Sequence, residues 1–129
     1  MKKKILIVNA NYYQDISLGL LGSTKKILPK NFEIKIIDVP GVFEIPVTIS
    51  KNIKKFDAFV ALGCVIKGQT PHFDFISQSS INAIMNLSID NNKPIGNGII
   101  TCLNLKQAKA RKKKGAEATK AILSVLTQK

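Results

Sequence analysis

Asp57-Ala58-Phe59-Val60-Ala61-Leu62-Gly63-Cys64-Val65-Ile66 is the stretch on which the fold turns. After its first residue it carries no charge, and apolar residues do not alternate with polar ones. A strand of that kind is covered on both faces, which is the pattern of a parallel sheet. Lys67-Gly68-Gln69-Thr70-Pro71 then reads as a loop, with Thr70 suited to cap a helix and Pro71 to open it. Helical spacing continues to about Asn91 and buries Ile76, Ser80, Ala83, Ile84 and Leu87. Similar units lie on both sides. Upstream, residues 4–9 (KILIVN) form a short apolar strand, and Ile16, Leu20, Leu21, Thr24, Ile27 and Leu28 mark a helix over 16–28 that stops before Pro29. Residues 32–39 (FEIKIIDV) form a strand closed by Pro40-Gly41, and 43–54 a helix with Pro46 in its first turn. Downstream, residues 94–101 (PIGNGIIT) give another buried strand. Asn104 with Gln107 forms a capping box that opens a final helix, which Gly115 interrupts before it resumes over 116–127. The order β-α-β-α-β-α-β-α predicts one domain over 1–129. Its fold class is α/β, a three-layer αβα sandwich of flavodoxin type with a four-stranded parallel sheet and right-handed crossovers.

Composition narrows the function. The chain has 129 residues, 45% of them hydrophobic, which supports a core and excludes a disordered or fibrous chain. No apolar run approaches the roughly 20 residues that span a bilayer. Met1-Lys2-Lys3-Lys4 has the charge of a signal peptide, but the apolar run after it stops at Asn9, so the expected location is cytoplasmic, with no membrane partner. The net charge is +12, yet all basic residues but Arg111 are lysines. Readers of nucleic acid favour the arginine fork, so nucleic acid is not the expected partner. His72 is the only histidine. Cys64 and Cys102 lie inside apolar segments and read as buried free thiols. One histidine and two isolated cysteines make no usual zinc site, so no metal is expected.

Ligands of such sheets bind at the carboxyl ends of the strands. There the sequence places Asn9 to Tyr13, Pro40 to Glu44, Lys67 to His72, and Thr101 with Cys102. Gly68 and the helix start after it form an anion cradle. No GxGxxG or Walker run is present, which disfavours a dinucleotide or a nucleoside triphosphate.

Val39-Pro40-Gly41-Val42-Phe43-Glu44-Ile45-Pro46 and Leu62-Gly63-Cys64-Val65-Ile66-Lys67-Gly68-Gln69-Thr70-Pro71-His72-Phe73-Asp74 resemble two segments of the lumazine synthase family. Pro94-Ile95-Gly96-Asn97-Gly98 and Lys114-Gly115-Ala116-Glu117-Ala118 resemble two later ones, so the likeness runs through nearly the whole chain in order. The resemblance implies a reaction without cofactor. In it, 5-amino-6-(D-ribitylamino)uracil condenses with 3,4-dihydroxy-2-butanone 4-phosphate to 6,7-dimethyl-8-ribityllumazine, phosphate and water, the penultimate step of riboflavin biosynthesis. His72 would be the catalytic proton carrier, because imidazole exchanges protons near neutral pH. Tyr12 would stack on the pyrimidine, Val42 and Phe43 would contact the uracil and ribityl parts, and Glu44 would accept bonds from ribityl hydroxyls. Cys64, Val65 and Ile66 would offer backbone groups to the pyrimidine edge, with Asn97 beside it. Gln69 and Thr70 amides, Arg111 and Lys114 would hold the phosphate.

Three positions depart from the family pattern. Asn97 stands where many members have an aromatic, and Tyr13 where an Asn is frequent. Lys112-Lys113-Lys114 is a shortened form of a longer Gly- and Lys-containing loop. The resemblance also implies a homo-oligomer, with Tyr12, Glu44 and His72 from one subunit and Asn97 and Arg111 from the next. A pentamer is favoured and a sixty-subunit shell stays open; riboflavin synthase would be the pathway partner. Two rival readings remain at this point: a Cys64–His72 nucleophile pair, and a basic binding module without catalysis.

Overall fold

The computed structural model describes residues 2–128. Strands β1 (Lys4–Ala10), β2 (Glu33–Val39), β3 (Ala58–Ile66) and β4 (Ile95–Cys102) form one sheet in the order β2-β1-β3-β4, every pair parallel. Helices α1 (Gln14–Ile27), α2 (Ile45–Asn52), α3 (His72–Asn91), α4 (Leu105–Ala110) and α5 (Lys114–Leu126) cover it, with a single 3₁₀ turn at Val42–Glu44. Successive strand residues point to opposite faces, and β1 shows the result. Ile5 and Ile7 pack with Ile16 and Leu20 of α1 and Ala118 and Ile122 of α5. Leu6 and Val8 pack with Ile45 and Ile49 of α2 and Ile84 of α3. All four β1 side chains are fully buried, and each such burial is worth about 1.5–3 kcal/mol. The α/β class and the three layers are as the apolar runs predict. Among the described residues, no helix is long and apolar enough to cross a membrane.

Five local expectations are corrected. β2 is an edge strand rather than one covered on both faces. Val39 is its only fully buried residue and Ile36 is 37% exposed. The helix expected over 43–54 divides into the 3₁₀ turn and α2, because Glu44 Oε1 takes the Gly41 N–H at 3.0 Å and tightens the first turn. α3 starts at His72, one residue later than Pro71. Pro71 has ψ 5°, outside the helical range, and its carbonyl accepts the first bonds, from Asp74 and Phe75. The Thr70 hydroxyl still accepts the His72 N–H, at 3.4 Å. Of the residues expected to be buried on α3, Ser80 and Ile84 are, whereas Ile76, Ala83 and Leu87 are half-buried. The helix packs along one side and leaves Phe75, Met85 and Ile89 exposed.

Gly115 does not interrupt the last helix. The break falls at Arg111–Lys113, and Gly115 lies inside the first turn of α5. A Cβ there would run into the Leu20 carbonyl of α1 and stand 2.5 Å from Thr24 Oγ1, so glycine is what lets the two helices touch. The Asn104 cap forms as expected. Asn104 Oδ1 accepts the Gln107 N–H at 2.9 Å, while Gln107 Oε1 reaches back to the Leu103 N–H at 2.8 Å.

Gly115→Ala is therefore expected to cost about 1–3 kcal/mol, the range of forced overpacking, even though alanine is the better helix former. A urea unfolding midpoint equal to or above that of the parent chain would contradict the close contact.

Candidate active site

Register builds the first half of the site. β1 pairs with β3 only as far as Asn9 with Leu62, whereas β4 pairs with β3 to its end, Ile66 with Cys102. Cys64, Val65 and Ile66 thus run past β1, and their backbone groups on that side have no strand to bond. They form the floor of a cleft of about 550 Å³. Its walls are Tyr12 and Tyr13 at the entry to α1, Gly41 to Glu44 in the 3₁₀ turn, and His72 with Ile76 on α3. Gly63 lets the turn close on the strand, since a Cβ there would stand 2.6 Å from Val42 Cγ2.

The cleft presents side chains that have little to do inside the chain. Tyr12 is 74% exposed and Phe43 63% exposed. Tyr12 meets Tyr13 edge to face, with ring centroids 4.9 Å apart. Tyr13 packs against the core. Its phenol is pushed up by burial, then by Cys64 and Tyr12, so it stays a neutral hydroxyl. The Glu44 bond to Gly41 uses one carboxylate oxygen and leaves the other for a ligand hydroxyl. The His72 side chain is exposed at the first position of α3. Cys64 shares the cleft, but its surroundings disfavour a thiolate. Burial first, and then Cys102, push its thiol up to about 12, the opposite of what an activated cysteine needs. Both cysteines are buried and free.

A second cleft lies elsewhere. β4 is the other edge of the sheet. Beside it, a cleft of about 470 Å³ opens between α3 and the α4–α5 corner. Asn97, Thr101, Arg111, Lys113, Lys114 and Glu117 line it. Arg111 donates to the Thr101 carbonyl at 3.4 Å. The one ion pair among the described residues, Lys4 with Glu33, is at the far end of the sheet, so the positive charge of Arg111 and Lys114 is not neutralised by a paired carboxylate.

The expected site residues therefore fall into two groups. Tyr12, Val42, Phe43, Glu44, Cys64, Val65, Ile66 and His72 come together in the first cleft. Asn97, Arg111 and Lys114 come together in the second. Gln69 and Thr70 line neither and are exposed in the loop before α3. The sequence reading did not assign Ile76 and Ile81 to the site. Ile76 stands four residues after His72 on one helix, so the i, i+4 rule puts both on one face and could have found it. Ile81 enters only because α3 crosses toward β4, which no local spacing reveals.

Comparison with known proteins shows the family. The family model described as 6,7-dimethyl-8-ribityllumazine synthase matches residues 2–129. A protein of that name from Methylorubrum populi is 41% identical over 98% of this chain and 82% of its own length. Another from Agrobacterium fabrum is 40% identical over 99% of this chain and 95% of its own. One from Bartonella bacilliformis is 44% identical over 86% of this chain and 76% of its own. Similarity this extensive, across both clefts and the sheet that carries them, makes the chain a member of the 6,7-dimethyl-8-ribityllumazine synthase family.

Proposed function

We propose that the chain condenses 5-amino-6-(D-ribitylamino)uracil with 3,4-dihydroxy-2-butanone 4-phosphate, and that its two clefts are the halves of one active site completed between neighbouring subunits. The observation that carries this reading is the separation of the residues. The aromatic, carboxylate and imidazole groups line one cleft, and the guanidinium and ammonium groups line another beside a sheet edge.

The chemistry follows from the groups each half presents. The pyrimidine lies on the Tyr12 ring, its polar edge against the open backbone of Cys64 to Ile66 and its ribityl chain toward Glu44, Val42 and Phe43. Asn97 adds an amide to the pyrimidine from the neighbour. Arg111 and Lys114 hold the phosphate together with the Gln69 and Thr70 amides at the start of α3, where unpaired N–H groups favour an anion. The pyrimidine amine attacks the ketone and water leaves to give an imine. Phosphate is then eliminated, and the ribitylamino nitrogen closes the ring with loss of a second water. His72 stands at the first-cleft end of the phosphate site and carries protons in these steps. Fixed orientation of two bound reactants supplies the rest of the acceleration.

A closed ring of five subunits, with the sixty-subunit shell as its extended form, agrees with the exposed apolar face of Val47, Phe75, Met85 and Ile89 and with the open β4 edge. The reaction is placed in the cytoplasm, with riboflavin synthase as the enzyme that uses the product.

His72→Ala is expected to slow turnover roughly 10²-fold, and Arg111→Ala to raise the apparent KM for the butanone phosphate, with Arg111→Lys restoring it only in part. Mixing the two impaired variants under subunit exchange should return activity, because some interfaces regain both groups. If exchange is confirmed by mass and no activity returns, the two residues act within one subunit.

The thiol gives an independent check. With Cys64 raised to about 12, native protein should react slowly with iodoacetamide through pH 9, while urea-unfolded chain reacts faster as pH rises past the ordinary thiol range near 8.5. Rapid native modification of Cys64 at neutral pH would restore the nucleophile reading.

A further inference from the structure

The corner that carries Arg111 is short, and a single hydroxyl of another helix ties it down. Between α4 and α5 the chain has only Arg111, Lys112 and Lys113. The guanidinium is exposed, and its 3.4 Å bond to the Thr101 carbonyl is too long to fix it. The backbone beneath it is better held. Ser23 Oγ on α1 lies 3.0 Å from the Lys112 carbonyl and accepts the Ala116 N–H at 3.2 Å. The same oxygen lies 3.0 Å from the Leu20 carbonyl. One hydroxyl proton thus serves two carbonyls, and a lone pair takes the amide. Two glycines permit the approach. The Lys112 stem lies on Gly19, and Gly115 lies against the Leu20 carbonyl and Ser23 Oγ. The corner is therefore docked on α1, on the side away from the cleft into which Arg111 and Lys114 face.

We propose that Ser23 is a positioning residue for phosphate binding: by bonding to Lys112 and Ala116 it sets where the corner holds Arg111 and Lys114. The inference rests on the reading of those two residues as phosphate ligands. It also accounts for the shortened segment. A longer loop can adjust to its ligand through its own backbone freedom, whereas a three-residue corner has little slack and takes its position from the surface it docks on. Lys112 then acts mainly through backbone and stem, which is consistent with its side chain being turned against α1.

The test measures inorganic phosphate as a competitive inhibitor against the butanone phosphate, in the assembled enzyme, for the parent, Ser23→Ala, Arg111→Ala and the double variant. Ser23→Ala should weaken phosphate about fivefold, the factor an ordinary hydrogen bond is worth, and leave the KM for the pyrimidine unchanged. In the Arg111→Ala background the Ser23 effect should shrink, because only Lys114 is left to position. Ser23→Cys, which keeps the size and a weaker donor, should fall between and replaces Ser23→Ala if that variant does not fold. Unchanged phosphate inhibition, an equal loss for the pyrimidine, or a full additive loss in the double variant would each overturn the inference. If Arg111→Ala itself leaves phosphate inhibition unchanged, the phosphate reading of Arg111 fails instead, and the two failures are distinguishable.

Discussion

Strand β3 pairs along both edges, and the rest of the molecule is arranged by that constraint. Ala58 to Leu62 are fully buried, so the strand has to be covered above and below by helices and flanked by strands on either side. Its backbone polar groups need partners as well. β4 supplies them along the whole length, and β1 stops at Leu62. The remainder, Cys64 to Ile66, is a stretch of strand with one edge unoccupied in a part of the fold where neighbouring helices begin. The first cleft is a consequence of that unequal length, since an edge that no strand bonds is open to a flat ligand.

Charge and aromatic surface are divided in the same spirit. The first cleft is built of rings, a carboxylate and an imidazole, and the second of three cations with Asn97, Thr101 and Glu117 beside them. Bringing both sets to one place in a single chain would require β4 and its flanking corner to fold over the sheet, which parallel pairing with β3 forbids. On the proposed reading an oligomer resolves the conflict, because a neighbour can present its edge without disturbing either sheet. On that reading the exposed apolar residues of α2 and α3 are surface that association would bury, and a monomer would be left with two partial sites.

Close backbone approach recurs wherever the site is braced. Gly63 allows the Val42 turn to seat against β3, and Gly19 and Gly115 allow the α4–α5 corner to seat against α1. In each case a side chain would hold apart two elements that carry ligand-binding groups. Packing density and cleft geometry are thus one requirement.

The continuous apolar run of 57–66, the Asn104 cap and the Pro40-Gly41 turn were enough to determine from sequence the α/β class and the four strands. Those are consequences of local patterns: burial on two faces, side-chain to backbone bonding and fixed φ. Motifs around Gly41 to Glu44 and Gly63 to His72 likewise brought the first-cleft residues together before any coordinates. Tertiary structure alone decided the matters that depend on distant segments meeting. β2 became an edge because nothing pairs beyond it, and the break in the last helix fell at Arg111–Lys113 because α1 had to reach Gly115. The role of Ser23 was invisible for the same reason. Its partners lie 89 and 93 residues away, and a hydroxyl inside a helix reads in sequence as an ordinary polar residue until the surface opposite it is known.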